Sequence, residues 1–474
     1  RRRTWFCLVT PCAIRGRLPG ERMYMRKLGK AVDLTVGNPA KLILTFAIPI
    51  FLCNALQILY SLIDTKIVGY ALGENALAAV GSASPLQSLL VGFLSGTTTG
   101  FSIIIARYFG AEKKQDVKKS FMSAILLGMG LTLLLVILLA IFLKPILHLL
   151  NVPDEQFPRT YIFMFIVLWG MLATAMYNIL AASLRAIGDS ITPLIYLFVS
   201  VVLNIGLNFL FIMGIGMDVE GSALSTVLAQ VISVILCVIY IRKKYPIFHL
   251  NRQDWMIDGK MLLQPLKAGL SMGAMNSLVW FGTLALQCAI NTLGTSIIVA
   301  HTAARKMTEI LFLPLIALGN AMATFTGQNL GAGKYDRIRK TMFLTLGICW
   351  IWDVCTILIC IFASAPIIRF IASTANTDVI YWGSTYLRVD TLFFFVSTPI
   401  TIIRNTMQGY GDHVTPIISS GIEMVGKMVI AFLLVPILHY WGVIWAEPII
   451  WILMLIPLVV QAARNPILKK SGKA

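Results

Sequence analysis

Charge is what this chain is short of. Only 13% of its 474 residues are Asp, Glu, Lys or Arg, about half of the roughly 25% usual in soluble proteins. With 58% hydrophobic residues and a mean hydropathy of +0.82, a water-soluble globule is excluded. Apolar runs of membrane length recur from end to end, which a soluble core would not need. Motifs for catalysis and for ATP coupling are missing too. Gly331-Ala-Gly333-Lys334 is no phosphate loop, since Gln328 stands five before Gly333 and Tyr335 follows the Lys; this argues against ATP-driven pumping by this chain alone. No H-E-x-x-H, Cys-x-x-Cys or nucleophile-elbow pattern occurs, and an enzyme is not expected. The eight Cys show no metal-site spacing; Cys53, Cys237, Cys288, Cys349, Cys355 and Cys360 fall in apolar segments and read as small buried apolar residues. The five His are isolated, so no metal site or cofactor is expected.

What is present is a series of apolar segments. Twelve membrane helices are expected, at about 40–70, 77–109, 118–143, 159–186, 192–214, 221–242, 264–292, 296–328, 338–362, 380–408, 415–437 and 441–463. The net charge of +18 is placed as a topology signal rather than a nucleic-acid surface. With both termini on one side, that side carries 30 basic residues, while the other carries four, Lys66, Lys144, Arg159 and Arg369. The positive-inside rule then puts both termini in the cytoplasm, as in a multi-pass protein of a bacterial inner membrane. Residues 1–24 are expected to be a non-native or disordered extension. The chain starts Arg-Arg-Arg-Thr-Trp, has no secretory apolar core in residues 1–22, and Gly20-Glu21-Arg22 can be encoded by GGA-GAG-AGG, a ribosome-binding-site-like run just before Met25.

The chain repeats itself. Gly188-Asp189-Ser-Ile-Thr192-Pro193 recurs as Gly411-Asp412-His-Val-Thr415-Pro416, 223 residues on. Gly110-Ala111 recurs as Gly331-Ala332, and Asn54 as Asn276, at offsets of 221 and 222. Matches in nearly one register indicate duplication, and six helices per half make the repeat parallel. The fold expected is an all-α polytopic membrane protein of two six-helix lobes, residues 37–243 and 262–463. A cytoplasmic linker (244–261) joins them and a basic cytoplasmic tail (464–474) follows. In the Gly-Asp-x-x-Thr-Pro turns, Thr is expected to cap the following helix. Gly92, Gly96 and Gly100 form a small-residue face for close helix packing.

Charged and polar residues inside these segments mark the working parts. In the first helix Asn54, Gln57, Ser61 and Asp64 are spaced 3, 4 and 3 apart, one polar stripe on an apolar rod. Asp64 has no basic partner on its own helix face, with Tyr60 and Ser61 its hydrogen-bonding neighbours. At ~1.5 Å per residue it lies about 33 Å beyond Leu42, toward the outer side. Buried there, it would serve as a proton carrier; a surface-exposed Asp is the competing reading. Ser200, Asn204 and Asn208 form a second stripe on the fifth helix. Arg305 with Glu309, and Glu423 with Lys427, are i,i+4 and are expected to pair. Asp353 has no local basic partner, and Arg388 and Asp390 face different ways.

Gly319-Asn-Ala-Met-Ala-Thr-Phe-Thr-Gly-Gln328-Asn329-Leu-Gly331-Ala332-Gly333-Lys334, Ile63-Asp64-Thr65-x-x-Val68-Gly69 with Ala78-Ala79-Val80-Gly81, and Leu184-Arg185-Ala186-x-Gly188-Asp189 together resemble the multidrug and toxic compound extrusion (MATE) family, from about Gly37 to Gln461. The resemblance implies two lobes in a V and export of amphipathic, often cationic compounds in exchange for protons or sodium ions. Within the family the chain is similar to the prokaryotic branch whose cation site lies in the N-terminal lobe. Asp64, Tyr60, Asn204 and Thr226 match that site, while Asn208 stands where the branch has a second Asp. A sodium ion would sit at Asp64, Asn204 and Thr226; with one carboxylate instead of two, proton coupling is favoured. The acid that another branch carries on the seventh helix has no counterpart in Asn276–Trp280, and that branch's tenth-helix role is not carried over to Asp390. Asn54, Gln57, Ser61, Asn178 and Glu309 are candidates for the substrate cleft. The expected partners are small amphipathic molecules and the lipid bilayer, with no nucleic acid, around a monomer. A lipid-linked precursor flippase and a non-transporting scaffold or receptor are the competing readings.

Overall fold

A computed structural model describes residues 32–150, 152–250 and 259–468. The expected N-terminal extension, residues 251–258 of the linker and the end of the tail lie outside the described residues. The architecture is all-α, with twelve membrane-crossing elements in two lobes. The first six are α1 (Pro39–Leu72), α2 (Glu74–Gly110), α3 (Lys114–Leu149), α4 (Phe157–Ala186), α5 (Ile191–Gly214) and α6 (Val219–Lys244). The second six are α7 (Gly259–Ile290), α8 (Thr295–Gly331), α9 (Tyr335–Ala372), α10 (Thr377–Leu392 continued by Phe394–Tyr410), α11 (Val414–Leu438) and α12 (Tyr440–Arg464).

The tenth crossing departs from the expected single rod, bending by 52° between its two pieces. Pro399 lies just beyond the bend and offers no N–H to the carbonyl of Phe395, four residues back. That carbonyl instead accepts the Trp350 indole N–H of α9 (3.4 Å). The internal repeat extends to irregular backbone: a π-helical turn at Phe209–Gly214 in α5 returns at Ile430–Leu434 in α11.

The two Gly-Asp turns share one construction, and it corrects the assignment of the cap. Gly188 and Gly411 take left-handed φ of 90° and 100°, which costs glycine little. Asp189 Oδ1 then accepts the N–H groups of Ile191 and Thr192 (3.1 and 3.0 Å), and Asp412 Oδ1 those of Val414 and Thr415 (both 3.1 Å). The carboxylate outcompetes the threonine because it can accept two N–H groups at once. Thr192 and Thr415 donate their hydroxyls to the other carboxylate oxygen.

Small residues set where the lobes touch. Gly96 and Gly100 of α2 lie against backbone atoms of Met272 and Ala268 on α7, while Gly269 and Gly273 of α7 lie against Phe101 and Thr97 of α2. Gly92 faces the Trp280 indole. At the end of the molecule that holds residues 32–38, Gly110 meets the backbone of Gln328, and Gly331 that of Arg107, too closely to admit a Cβ. The segment before α1 seals this end. Leu34 is fully buried; its N–H donates to Gln328 Oε1 (3.0 Å) and its carbonyl accepts from Asn329 Nδ2 and Arg337 Nη2 (both 3.3 Å). Gln328 Nε2 donates in turn to the Ala186 carbonyl (2.8 Å), and Lys334 Nζ to that of Thr35 (2.6 Å).

Among the cysteines, Cys53, Cys237, Cys349 and Cys360 are buried as expected, but Cys288 and Cys355 are exposed. The last two sit on exposed faces of α7 and α9.

Candidate functional site

Helix phase relates the contact between the lobes to exposed polar residues further along the same helices. On α1 the face carrying Ile43, Phe46 and Ile50 is buried in one apolar cluster with Leu318, Met322 and Phe325 of α8. Further along the helix the same face presents Gln57 and Ser61, both exposed. Eighteen residues make about five turns, so Ser61 stands directly above Ile43. The opposing wall behaves alike. Gly327 and Gly331 of α8 pack on Ile103, Ala106 and Arg107 of α2, and five turns outward from Gly327 stands Glu309, exposed, with Lys306 exposed beside it. Both helices thus carry exposed polar residues beyond the stretch where the lobes touch.

Asp64 leaves this stripe. Its side chain turns to α5 and α6, where Oδ1 accepts Asn208 Nδ2 at 2.9 Å and the Ser222 hydroxyl lies 3.3 Å from both carboxylate oxygens. Asn208 Nδ2 also reaches Asn204 Oδ1 (3.1 Å), and Asn204 Nδ2 donates to Thr226 Oγ1 (3.2 Å). The Tyr60 hydroxyl donates to the same Thr226 oxygen at 3.0 Å. Asn204 and Asn208 are completely buried. One hydrogen-bonded chain thus ties α1 to α5 and α6, and among the described residues no ion pair reaches Asp64.

The geometry brings together Asp64, Asn204, Asn208, Thr226 and Tyr60. It also adds Ser222, which sequence reasoning missed; the signal was there, since Ser222 lies one turn before Thr226. Of Tyr60 and Ser61, expected beside the Asp64 carboxylate, Tyr60 donates to Thr226 instead and Ser61 is exposed. Asn54 is half-buried, and Gln57 and Ser61 are exposed. Asn178 is half-buried on α4 and makes none of the hydrogen bonds of this group. The oxygens that could face a cation are those of Asp64, Asn204, Ser222 and Thr226. Asn208 offers Asp64 its amide nitrogen, and its own Oδ1 is buried without a partner. Among the described residues no cluster of three or more His, Cys, Asp or Glu is arranged for a metal ion.

The second lobe concentrates charge instead. Lys427 Nζ sits 2.9 Å from Glu423 Oε1, 3.1 Å from Glu447 Oε1 and 3.3 Å from Thr283 Oγ1. Arg305 Nη1 is 3.5 Å from Glu447 Oε1, and Arg404 Nη2 is 3.9 Å from Glu423 Oε2. The Glu423–Lys427 pair was expected; the Arg305–Glu309 pair is not formed. Arg305 pairs with Glu447 of α12, while Glu309, one turn on, is exposed. Asp353 accepts from Thr398 (2.8 Å), Asp390 from Thr308 (3.2 Å), and Arg388 donates to Ser364 (2.8 Å).

The chain matches the MatE family model twice, over residues 49–210 and 272–433, the second match beginning 223 residues after the first. It is 30% identical over 310 residues to the probable multidrug resistance protein YpnP of Bacillus subtilis, covering 65% of this chain and 69% of that protein. It is 27% identical over 398 residues to the probable multidrug resistance protein YoeA of the same organism, covering 82% and 85%. Among solved structures it superimposes on an outward-facing multidrug resistance MATE family transporter of the MOP superfamily with a TM-score of 0.85 and 20% identity, over 93% of this chain and 99% of that one.

Proposed function

This chain belongs to the MatE family, a family of multi-pass membrane transporters, and from that premise we propose that it is a secondary antiporter exporting amphipathic, often cationic, organic compounds in exchange for protons bound at Asp64. The observation that carries the reading is a carboxylate held by neutral donors, Asn208 and Ser222, with no cation paired to it. A protonated Asp64 has one acceptor fewer and gains an O–H to place. Its arrival loosens the bonds that hold α1 to α5 and α6. Pro49 lies in α1 near the outer end of the stretch packed on α8, so a shift of the outer half can be taken up as a bend there and passed to the lobe contact.

Direction follows from charge. The basic excess on the sealed side supports a cytoplasmic position for that side and for both termini, in a bacterial inner membrane. The open cleft then faces outward, as a transporter waiting for its coupling ion would. The lobes, residues 37–243 and 262–463, rock as units in a monomer. Cargo is held between Gln57 and Ser61 on one wall and Glu309 on the other, with Asn54 deeper on the first wall and Asn178 an outlying candidate. Glu309 gives that second wall a carboxylate for an organic cation. Sodium is the less favoured ion, because one carboxylate rather than two would neutralise it. The Asn208 amide also presents nitrogen, not oxygen, toward the site.

Reconstituted into liposomes with an imposed proton gradient, the protein should move a fluorescent cationic dye against its own gradient. Asp64→Asn should reduce this to the level of empty liposomes while leaving the folded yield unchanged. Full activity in that variant would move the coupling site elsewhere. Asn208→Asp, which restores a second carboxylate, should make transport respond to sodium.

A further inference from the structure

The internal repeat sets Lys427 in an unexpected place. With Gly188 on Gly411, the α5 positions Ser200 and Asn204 fall on Glu423 and Lys427 of α11. With Gly221 on Gly442, Thr226 of α6 falls on Glu447 of α12, and with Asn54 on Asn276, Tyr60 and Ser61 of α1 fall on Gly282 and Thr283 of α7. Contacts repeat along with positions. Asn204 bonds Thr226 in the first lobe, and Lys427 bonds Glu447 in the second. Where the first lobe has the Tyr60 ring, the second has Gly282, and the Lys427 stem runs over it, its Cδ 3.2 Å from where a Cβ would stand.

We propose that the second lobe contains the counterpart of the Asp64-side site and keeps it filled with its own cation, the Lys427 ammonium, so that a lysine-less protein would bind a sodium-sized monovalent cation there. The ammonium is coordinated as a bound ion would be. Three oxygens surround it, from Glu423, Glu447 and Thr283, at 2.9, 3.1 and 3.3 Å. All but 3% of the Lys427 side chain is buried, and its two carboxylate partners are nearly as enclosed.

The partners of the two carboxylates support the same reading. Arg305 and Arg404 stand farther off, 3.5 Å from Glu447 and 3.9 Å from Glu423, than the ammonium does. Taking away the ammonium leaves Glu423 Oε1, Glu447 Oε1 and the Thr283 hydroxyl facing a vacated volume, an oxygen set suited to a small cation. The lysine is thus an immobile substitute for an exchangeable ion. It confines ion exchange to the first lobe without any change of architecture.

The inference uses the internal repeat but not antiport, and its test reads binding rather than transport. In an Asp64→Asn background, which silences the first lobe, melting of purified protein is compared in sodium chloride and N-methylglucamine chloride of equal ionic strength at pH 8. The Asp64→Asn protein should melt at the same temperature in both salts. Adding Lys427→Ala should produce a saturable rise in sodium of roughly 3 to 5 °C at a concentration a hundred times Kd, with radiolabelled sodium bound one per chain. Adding Glu423→Gln as well should abolish the rise and the binding. A folded Lys427→Ala protein that melts identically in both salts overturns the proposal. So does a Lys427→Ala protein that cannot be recovered folded in either salt, because sodium should fill the gap. Recovery in sodium alone supports it.

Discussion

Asn204 and Lys427 occupy one place in the internal repeat, once in each lobe, and their surroundings could hardly differ more. Around Asn204 the partners are amides and hydroxyls, with a single carboxylate, Asp64, joined through Asn208. Around Lys427 five charges alternate in sign from Arg305 through Glu447, Lys427 and Glu423 to Arg404. The difference is one of commitment. Neutral donors around a carboxylate can tolerate a proton coming and going, since each hydrogen bond to a charged group is individually worth only about 1.5–3 kcal/mol. A saturated ion-pair chain cannot lose a member without leaving a buried charge exposed to hydrocarbon. One scaffold thus supplies a movable part and a clamp.

The largest effect expected of this contrast is on stability. Glu447→Ala strands Arg305 and weakens the hold on Lys427, and should cost about 3–5 kcal/mol, read as a lowered melting temperature in detergent. The equivalent change in the first lobe, Thr226→Ala, removes one acceptor shared by Tyr60 and Asn204 and should cost only about 1–3 kcal/mol. Equal losses in the two variants would break the comparison. The smallest effect concerns the Gly-Asp turns, where the residue after the Asp is Ser190 in one lobe and His413 in the other. Burial, with Arg107 beside it, pushes the His413 imidazole down to about 4. Folding therefore favours the neutral ring. That contribution is complete above the ordinary histidine value of about 6.5 and is lost as the pH falls through the folded value of about 4. His413→Gln should leave melting unchanged at pH 8 and blunt the acid loss between those limits. Ser190→Gln should alter neither slope.

Much of the fold could be read from the chain because membrane helices are single long apolar runs; most crossings lie within several residues of their expected places, though α9 runs to Ala372, ten residues past its expected end at 362. Partners four residues apart on one helix were equally readable, as Glu423 and Lys427 show. What could not be read was any choice between a near partner and a distant one. Arg305 had Glu309 one turn away, yet bonds Glu447, 142 residues distant, because which helix face is buried depends on packing. Ser222 joined Asp64 for the same reason, across 158 residues. The bend in α10 needed Trp350 of α9 to receive the carbonyl that Pro399 leaves unpaired, and a proline alone does not announce such a bend.

The glycines where α2 crosses α7 make that crossing a fulcrum with unequal arms. Helix α2 runs 22 residues from Glu74 to Gly96 and 14 from Gly96 to Gly110, arms of about 33 and 21 Å at ~1.5 Å per residue. A rocking of about ten degrees there would shift the outer end by about 6 Å but the sealed end by about 4 Å, on the same helix rise. In the proposed rocking the outer end would travel further than the sealed end, so that a bulky cargo would leave through a wide exit while the inner passage widens only narrowly.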